Sequence, residues 1–127
     1  MSTLRTNALE GVDAKNSITI VAGAGNITTT NVQEGLAKMF VRVDQTGQTL
    51  ADSFNTASIT DGGTGFTSAN LTNSFSSANW CVSVTANSVS DNSHPGDSST
   101  VRGGAMNSSG TRGDAARFHM LAVGDLA

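Results

Sequence analysis

The sequence predicts an all-β fold: an antiparallel, jelly-roll-like β-sandwich head preceded by an extended N-terminal arm. Three observations lead there. Ser, Thr, Asn and Gly make up 57 of the 127 residues, which is strand and turn material rather than helix material. Apolar and polar residues alternate in several short runs, the period of a strand. Turn signals separate those runs every 10 residues or so, as in sandwiches and barrels, at about 8–12 residues per strand. A composition this polar also occurs in disordered chains, but those carry high net charge. Here charged residues are 13% and the net charge is −3. With 37% hydrophobic residues, five Phe, one Trp and no Tyr, a single copy is expected to bury only a thin core.

Two domains follow from the patterning. Residues 1–35 hold widely spaced apolar side chains and no long strand pattern. They read as an extended anchoring arm that lies on another surface, with Leu4, Leu9, Ile18 and Ile20 as its gripping residues. Within the arm, "SITIVAGAG" invites comparison with a dinucleotide-binding strand and its phosphate loop. That fingerprint needs a third glycine at position 28 and a helix opening there to hold the pyrophosphate. The residue is Thr28, and "NITTTNV" is β-branched and a poor helix start. No Walker lysine follows. The glycines read as a bend in the arm.

Residues 36–127 form the expected head. Leu36 to Val43 alternates, with Met39, Val41 and Val43 on one face and Lys38, Phe40 and Arg42 on the other. Asp44 to Gln48 is a turn. A second strand is expected over Ser53 to Thr60, and "TDGGTG" is a turn whose glycines are free to take positive φ. Phe66 to Thr72 alternates weakly. Trp80 to Val89 is the strongest strand, with Trp80, Val82, Val84 and Ala86 facing the core and Cys81 read as a buried, inert thiol. "SVSDNSHPGDSST" is a polar loop, Thr100 to Met106 a strand, and "NSSGTRGD" the tip of a hairpin that returns through Ala115 to Val123. That last strand is apolar on both faces, so Phe118, His119, Met120 and Leu121 are expected to meet a neighbouring subunit.

Signs of chemistry are sparse. No Lys or Arg cluster gives a nucleic-acid footprint. The start carries no apolar signal core, and no run is long enough for membrane insertion. His94 and His119 lack partners at metal-ligand spacing. Asp91, Asn92 and Asp97 share a loop whose oxygens suit a calcium ion, but turn formation accounts for them without one, and no metal or cofactor is expected. No serine sits in a G-x-S-x-G elbow, and the two Glu, Glu10 and Glu34, fall in the arm. No enzyme is expected. Trp80 reads as a core anchor rather than a sugar platform. Asn92, His94, Asp97 and Arg112 are the candidate receptor contacts, in a loop and a tip rich in hydrogen-bonding groups that suit a glycan. Arg112 to Asp114 spells RGD, read as part of a turn.

One stretch carries a resemblance. Gln33-Glu34-Gly35-Leu36-Ala37-Lys38 is followed by Asp52-Ser53-Phe54-Asn55, Ser58-Ile59-Thr60-Asp61, Gly63-Thr64-Gly65 and Ala78-Asn79-Trp80. With the opening "MSTLRTNALEG", this resembles the small tail-fibre-like virion proteins of marine bacteriophages. The likeness covers residues 1–11 and 31–90, and the sequence departs from the pattern after residue 90. The resemblance implies a structural protein on the exterior of a virion, synthesised in the host cytoplasm. The arm would dock on tail or capsid proteins, and the head, as a homotrimer, would point outward toward a host surface glycan. A capsid decoration protein or head fibre of the same build is the alternative, and a free glycan-binding lectin is a second one.

Overall fold

The computed structural model describes residues 19–22, 28–31, 36–87, 89–91 and 96–127. The chain divides into two compact units, Met1–Leu36 and Ala37–Ala127. In the first, β1 (Thr19–Ala22) and β2 (Thr28–Asn31) pair antiparallel, with Thr19 opposite Asn31 and Ala22 opposite Thr28. The region read as a plain arm thus contains a short hairpin, with Ile20 opposite Thr30. Leu4, Leu9, Ile18, Gly23 and Gly25 lie outside the described residues.

The second unit is all β. Its strands are β3 (Ala37–Asp44), β4 (Thr49–Phe54), β5 (Thr56–Asp61), β6 (Phe66–Leu71), β7 (Cys81–Ala86), β8 (Val89–Asp91), β9 (Thr100–Met106) and β10 (Phe118–Val123). They form two four-stranded antiparallel sheets, ordered β4-β3-β10-β7 and β5-β6-β9-β8. Hairpins keep β3–β4, β5–β6 and β8–β9 within one sheet. These hairpins alternate with crossings from one sheet to the other.

Two connections differ from the sequence reading. The single strand expected over 53–60 is two strands, one in each sheet, broken at Asn55. Asn55 sits at φ 56, a left-handed conformation that Asn tolerates better than other side chains. The "NSSGTRGD" segment does not join two paired strands, because β9 and β10 lie in different sheets. It closes a local turn, in which Asn107 Oδ1 accepts the Ser109 and Thr111 amides at 3.0 and 2.9 Å, and then crosses over.

The core sits between the sheets. Met39, Val41, Val43, Val84, Phe118, Met120 and Ala122 enter from the first sheet, and Ala69, Val101 and Ala105 from the second. The thin apolar supply is met by close approach. A Cβ on Gly103 of β9 would lie 2.9 Å from Val84 Cγ2 and 3.0 Å from both Met120 Sδ and Phe118 Cζ. A side chain there would hold the layers apart.

Both ends of the unit are closed. At one, Phe75 is buried and stacks with Trp80, ring centroids 5.7 Å apart, while its amide donates to Ser98 O at 2.7 Å. The C-terminal residues lie over it, Ser76 N donating to Asp125 O and Ala127 N to Ser74 O. At the other end Gln45, 1% exposed, joins three segments. Its Nε2 donates to Thr67 Oγ1 at 3.2 Å, its Oε1 accepts from Ala115 N at 3.0 Å, and its own amide donates to Ala115 O at 3.0 Å.

Two side-chain expectations are corrected. Phe118 and Met120 face the chain's own core and are buried there, so they offer nothing to a neighbour. The outward residues of the strand, His119 and Leu121, lie on the opposite face of the sheet, where Leu121 is exposed. Cys81 is exposed. It alternates with the inward Val82 and Val84 and so points outward, as the period of two requires.

Candidate functional site

The outer faces of the two sheets differ in chemistry. On the β5–β6–β9–β8 sheet the outward positions are mixed: Asn70 Nδ2 donates to Ser58 Oγ and Thr60 Oγ1, both at 2.9 Å, Ser68 stands opposite Thr60 and Arg102, and Phe66, Met106 and the exposed Val89 are spread across the same face. On the other sheet the outward positions form two rows across the strands. One row is Phe54, Phe40, Leu121 and Ser83, in register on β4, β3, β10 and β7. The next is Asp52, Arg42, His119 and Thr85.

The first row is an apolar stripe. Phe40 is 39% exposed, Phe54 53% and Leu121 45%. The two Phe rings lie 6.2 Å apart and 22° from parallel. A shallow groove of about 310 Å³ runs along the stripe and the polar row, lined by Phe40, Arg42, Asp52, Ser83, Thr85, His119 and Leu121. A contiguous apolar patch rimmed by polar groups is the form that interaction surfaces take. Of the four residues expected at a subunit contact, His119 and Leu121 belong to this face and Phe118 and Met120 do not. Phe54 is one of the residues the sequence assigns to the core and subunit contacts, whereas Phe40 is not assigned to any site from it. The signal was present: Phe40 falls on the outward parity of its strand, beside Lys38 and Arg42, where an aromatic ring is out of place unless something covers it.

The candidate receptor contacts are not brought together. Asp97 lies just before β9 and Arg112 beyond its far end, with six residue steps of β9 between Thr100 and Met106, about 20 Å at the usual strand rise. Asn92 and His94 lie outside the described residues. Asp97 is occupied by its own turn. Its Oδ1 accepts from Ser99 Oγ at 2.7 Å, Ser99 N at 2.7 Å and Thr100 Oγ1 at 3.1 Å. These bonds, the Ser99 hydroxyl first, hold its carboxyl below the usual carboxylate range. The backbone carbonyl of Asp97 accepts the Trp80 indole N–H at 3.1 Å. Trp80, stacked on Phe75 and tied to that loop, is a structural anchor in this fold.

The RGD triplet is likewise engaged within the chain. The Arg112 guanidinium carbon lies 3.4 Å from the centroid of the Phe66 ring, a cation–π contact. Asp114 Oδ1 accepts the Gly65 amide at 2.6 Å. Gly65 itself is at φ 73, and a Cβ there would run into the Ala105 carbonyl. Lys38, at the bulge where β3 meets β10, is buried, and that burial lowers its pKa while Asp125 works against the shift.

Among the described residues, no three His, Cys, Asp or Glu side chains stand close enough to hold a metal ion. No helix among them is long and apolar enough to cross a membrane. No protein-family model, no curated protein and no solved structure matches the chain.

Proposed function

We propose that this chain is a non-enzymatic structural protein of a bacteriophage virion, a short tail-fibre or fibre-like appendage. Its N-terminal residues 1–35 dock it on the particle, and its two-sheet head is a sandwich that associates with other subunits. The observation that carries the reading is the contrast between the two outer faces of the head. On one, β5 and β6 present a hydrogen-bonded surface of Ser, Thr and Asn. The other exposes the Phe54–Phe40–Leu121 stripe, the kind of apolar surface that a protein keeps when another protein covers it. The resemblance of residues 33–65 and 78–80 to tail-fibre-like virion proteins supplies the setting.

The test is made on particles. Purified virions should contain the chain, and a variant lacking residues 1–20 should be made in normal amount yet be missing from them. A truncated protein that still decorates particles removes the docking role of the arm. A chain absent from purified virions removes the reading altogether.

A further inference from the structure

We propose that β7 is an association edge, and that it pairs antiparallel with β7 of a second copy of this chain, joining the two β4-β3-β10-β7 sheets into one. The sheets of the head end on β4 and β7 in one case and on β5 and β8 in the other. An exposed edge offers unpaired N–H and C=O groups to any other strand, and native proteins block it with bulges, charges or brevity. β4 carries Asp52 and bulges at Ala51, between the Arg42–Asp52 and Val43–Leu50 pairs. β5 bulges at Ala57 and ends on Asp61. β8 is three residues long. β7 has none of these devices. Its six residues, Cys81-Val82-Ser83-Val84-Thr85-Ala86, hold no charge and no proline, and they keep an unbroken register with β10.

The ladder tells which groups are free. Asn87 N donates to Arg117 O, one step beyond the Ala86–Phe118 pair. Hydrogen-bonded and non-hydrogen-bonded pairs alternate along an antiparallel ladder. Ser83 and Thr85 therefore bond β10, while Val82, Val84 and Ala86 turn their N–H and C=O groups toward the open edge. A two-fold axis at Val84, perpendicular to the sheet, sets Val84 opposite Val84 of the other copy and Val82 opposite its Ala86. Each of these facing pairs exchanges two hydrogen bonds, so every one of those groups is satisfied. The register also keeps the faces. Val82 and Ala86, only partly buried against the core in one chain, gain cover on the inner side, and Ser83 stands opposite Thr85 on the outer side. Closure selects a second copy. The joined sheet ends on β4 at both sides, and β4 is blocked. A lone strand of another protein would leave its own far side open, whereas the isologous pair leaves no unblocked edge. This surface is separate from the Phe54–Phe40–Leu121 stripe and does not rest on the virion reading. It is measured on the purified full chain with no phage present.

The experiment is sedimentation of the full chain over a concentration series, with amide hydrogen exchange on the same samples. An edge contact buries little area, so wild-type protein should pass reversibly from monomer to dimer at about 1–50 µM. The amides of Val82, Val84 and Ala86 should exchange roughly 10-fold faster or more below that transition than above it. Ser83 and Thr85 are exposed, so charges placed there leave the core untouched. S83K/T85K sets Lys opposite Lys on both sides of the axis and should weaken the dimer roughly 10-fold or more. S83K/T85D sets Lys opposite Asp on both sides and should bind within about 3-fold of wild type or more tightly. Four results overturn the proposal: a monomer at about 100 µM; a trimer as the assembled species; a dimer in which those three amides stay unprotected; or a dimer that the two double variants affect alike.

Discussion

The side-chain amide of Asn55 donates to the backbone carbonyl of Lys38 at 3.0 Å, tying the point where the chain changes sheets to the first strand of the head. The same amide donates to Asn73 O at 3.0 Å, and Asn55 Oδ1 accepts Asn73 N at 2.7 Å. One side chain therefore holds β3, the crossing and the β6–β7 connection together, from a backbone at φ 56. Asn55→Gly keeps the backbone conformation and loses the bonds; Asn55→Ala loses both. With three net hydrogen bonds of about 1 kcal/mol each and a left-handed penalty of roughly 1 kcal/mol, the expected losses are about 3 kcal/mol for Gly and about 4 for Ala. Urea unfolding of the two variants gives the order directly. Equal losses would mean that the backbone conformation costs Ala nothing there.

Gln45 presents the buried version of the same device. Gln45→Leu fills the space but leaves the Ala115 amide and the Thr67 hydroxyl without their partner inside the protein. A loss of about 2–4 kcal/mol is expected, close to that of Gln45→Ala, because unpaired polar groups rather than missing volume dominate. If Leu proves neutral in chemical unfolding, water reaches that end of the core and the clamp is not buried in solution.

Gly103 sets the spacing of the layers. Gly103→Ala inserts a methyl group against Val84, Met120 and Phe118 at 2.9–3.0 Å. Met is flexible, but Phe118 is fixed between strands, so overpacking should cost about 1–3 kcal/mol. Met120→Ala in the Gly103→Ala background opens room for the methyl group. The cost of adding it should be smaller there than in wild type, which a double-mutant cycle measures.

How much of this was legible follows from which forces are local. Strand alternation at Met39–Val43 and at Val82–Ala86 was readable, because a period of two is written in consecutive residues. The split at Asn55 was not, since "DSFNTASIT" alternates through the break and only φ at one residue reveals it. Gln45 sat in a run of turn residues, and its burial depends on Ala115, 70 positions away. The tip after β9 looked like a hairpin because turn chemistry is local while the choice of sheet is not. The interaction face was half visible: His119 and Leu121 came from the last strand, but their register with Phe40 and Phe54 is a long-range fact.

Cys81 gives a test that needs no mutation. An outward thiol on β7 should react with a soluble disulfide reagent in the native protein, one equivalent per chain, at a rate near that in denaturant. A buried thiol would wait for unfolding and react only as fast as the chain opens. Protection by several orders of magnitude in native buffer would place Cys81 in an interface or in the core.

Asp97 and Trp80 together predict an acid transition confined to one end of the head. The carboxyl of Asp97 is held below its ordinary value of 3.8, chiefly by the Ser99 hydroxyl. A carboxylate depressed in the folded state stabilises it at pH above the unfolded value, and that contribution disappears as pH falls through the folded value. The window therefore lies below about pH 4. Protonation removes the acceptor of Ser99 and Thr100, and the turn that presents Asp97 O to the Trp80 indole loosens. Trp80 is the single tryptophan of the chain, so its fluorescence and its indole N–H resonance report this site alone. Both should change with a midpoint below pH 3.8 while the β-sheet signal of the head is retained. In Asp97→Asn the amide oxygen keeps an acceptor in place and does not titrate, so the local transition should vanish. A transition unchanged in that variant would assign the acid sensitivity of Trp80 to another group and leave the Asp97 turn as a bystander.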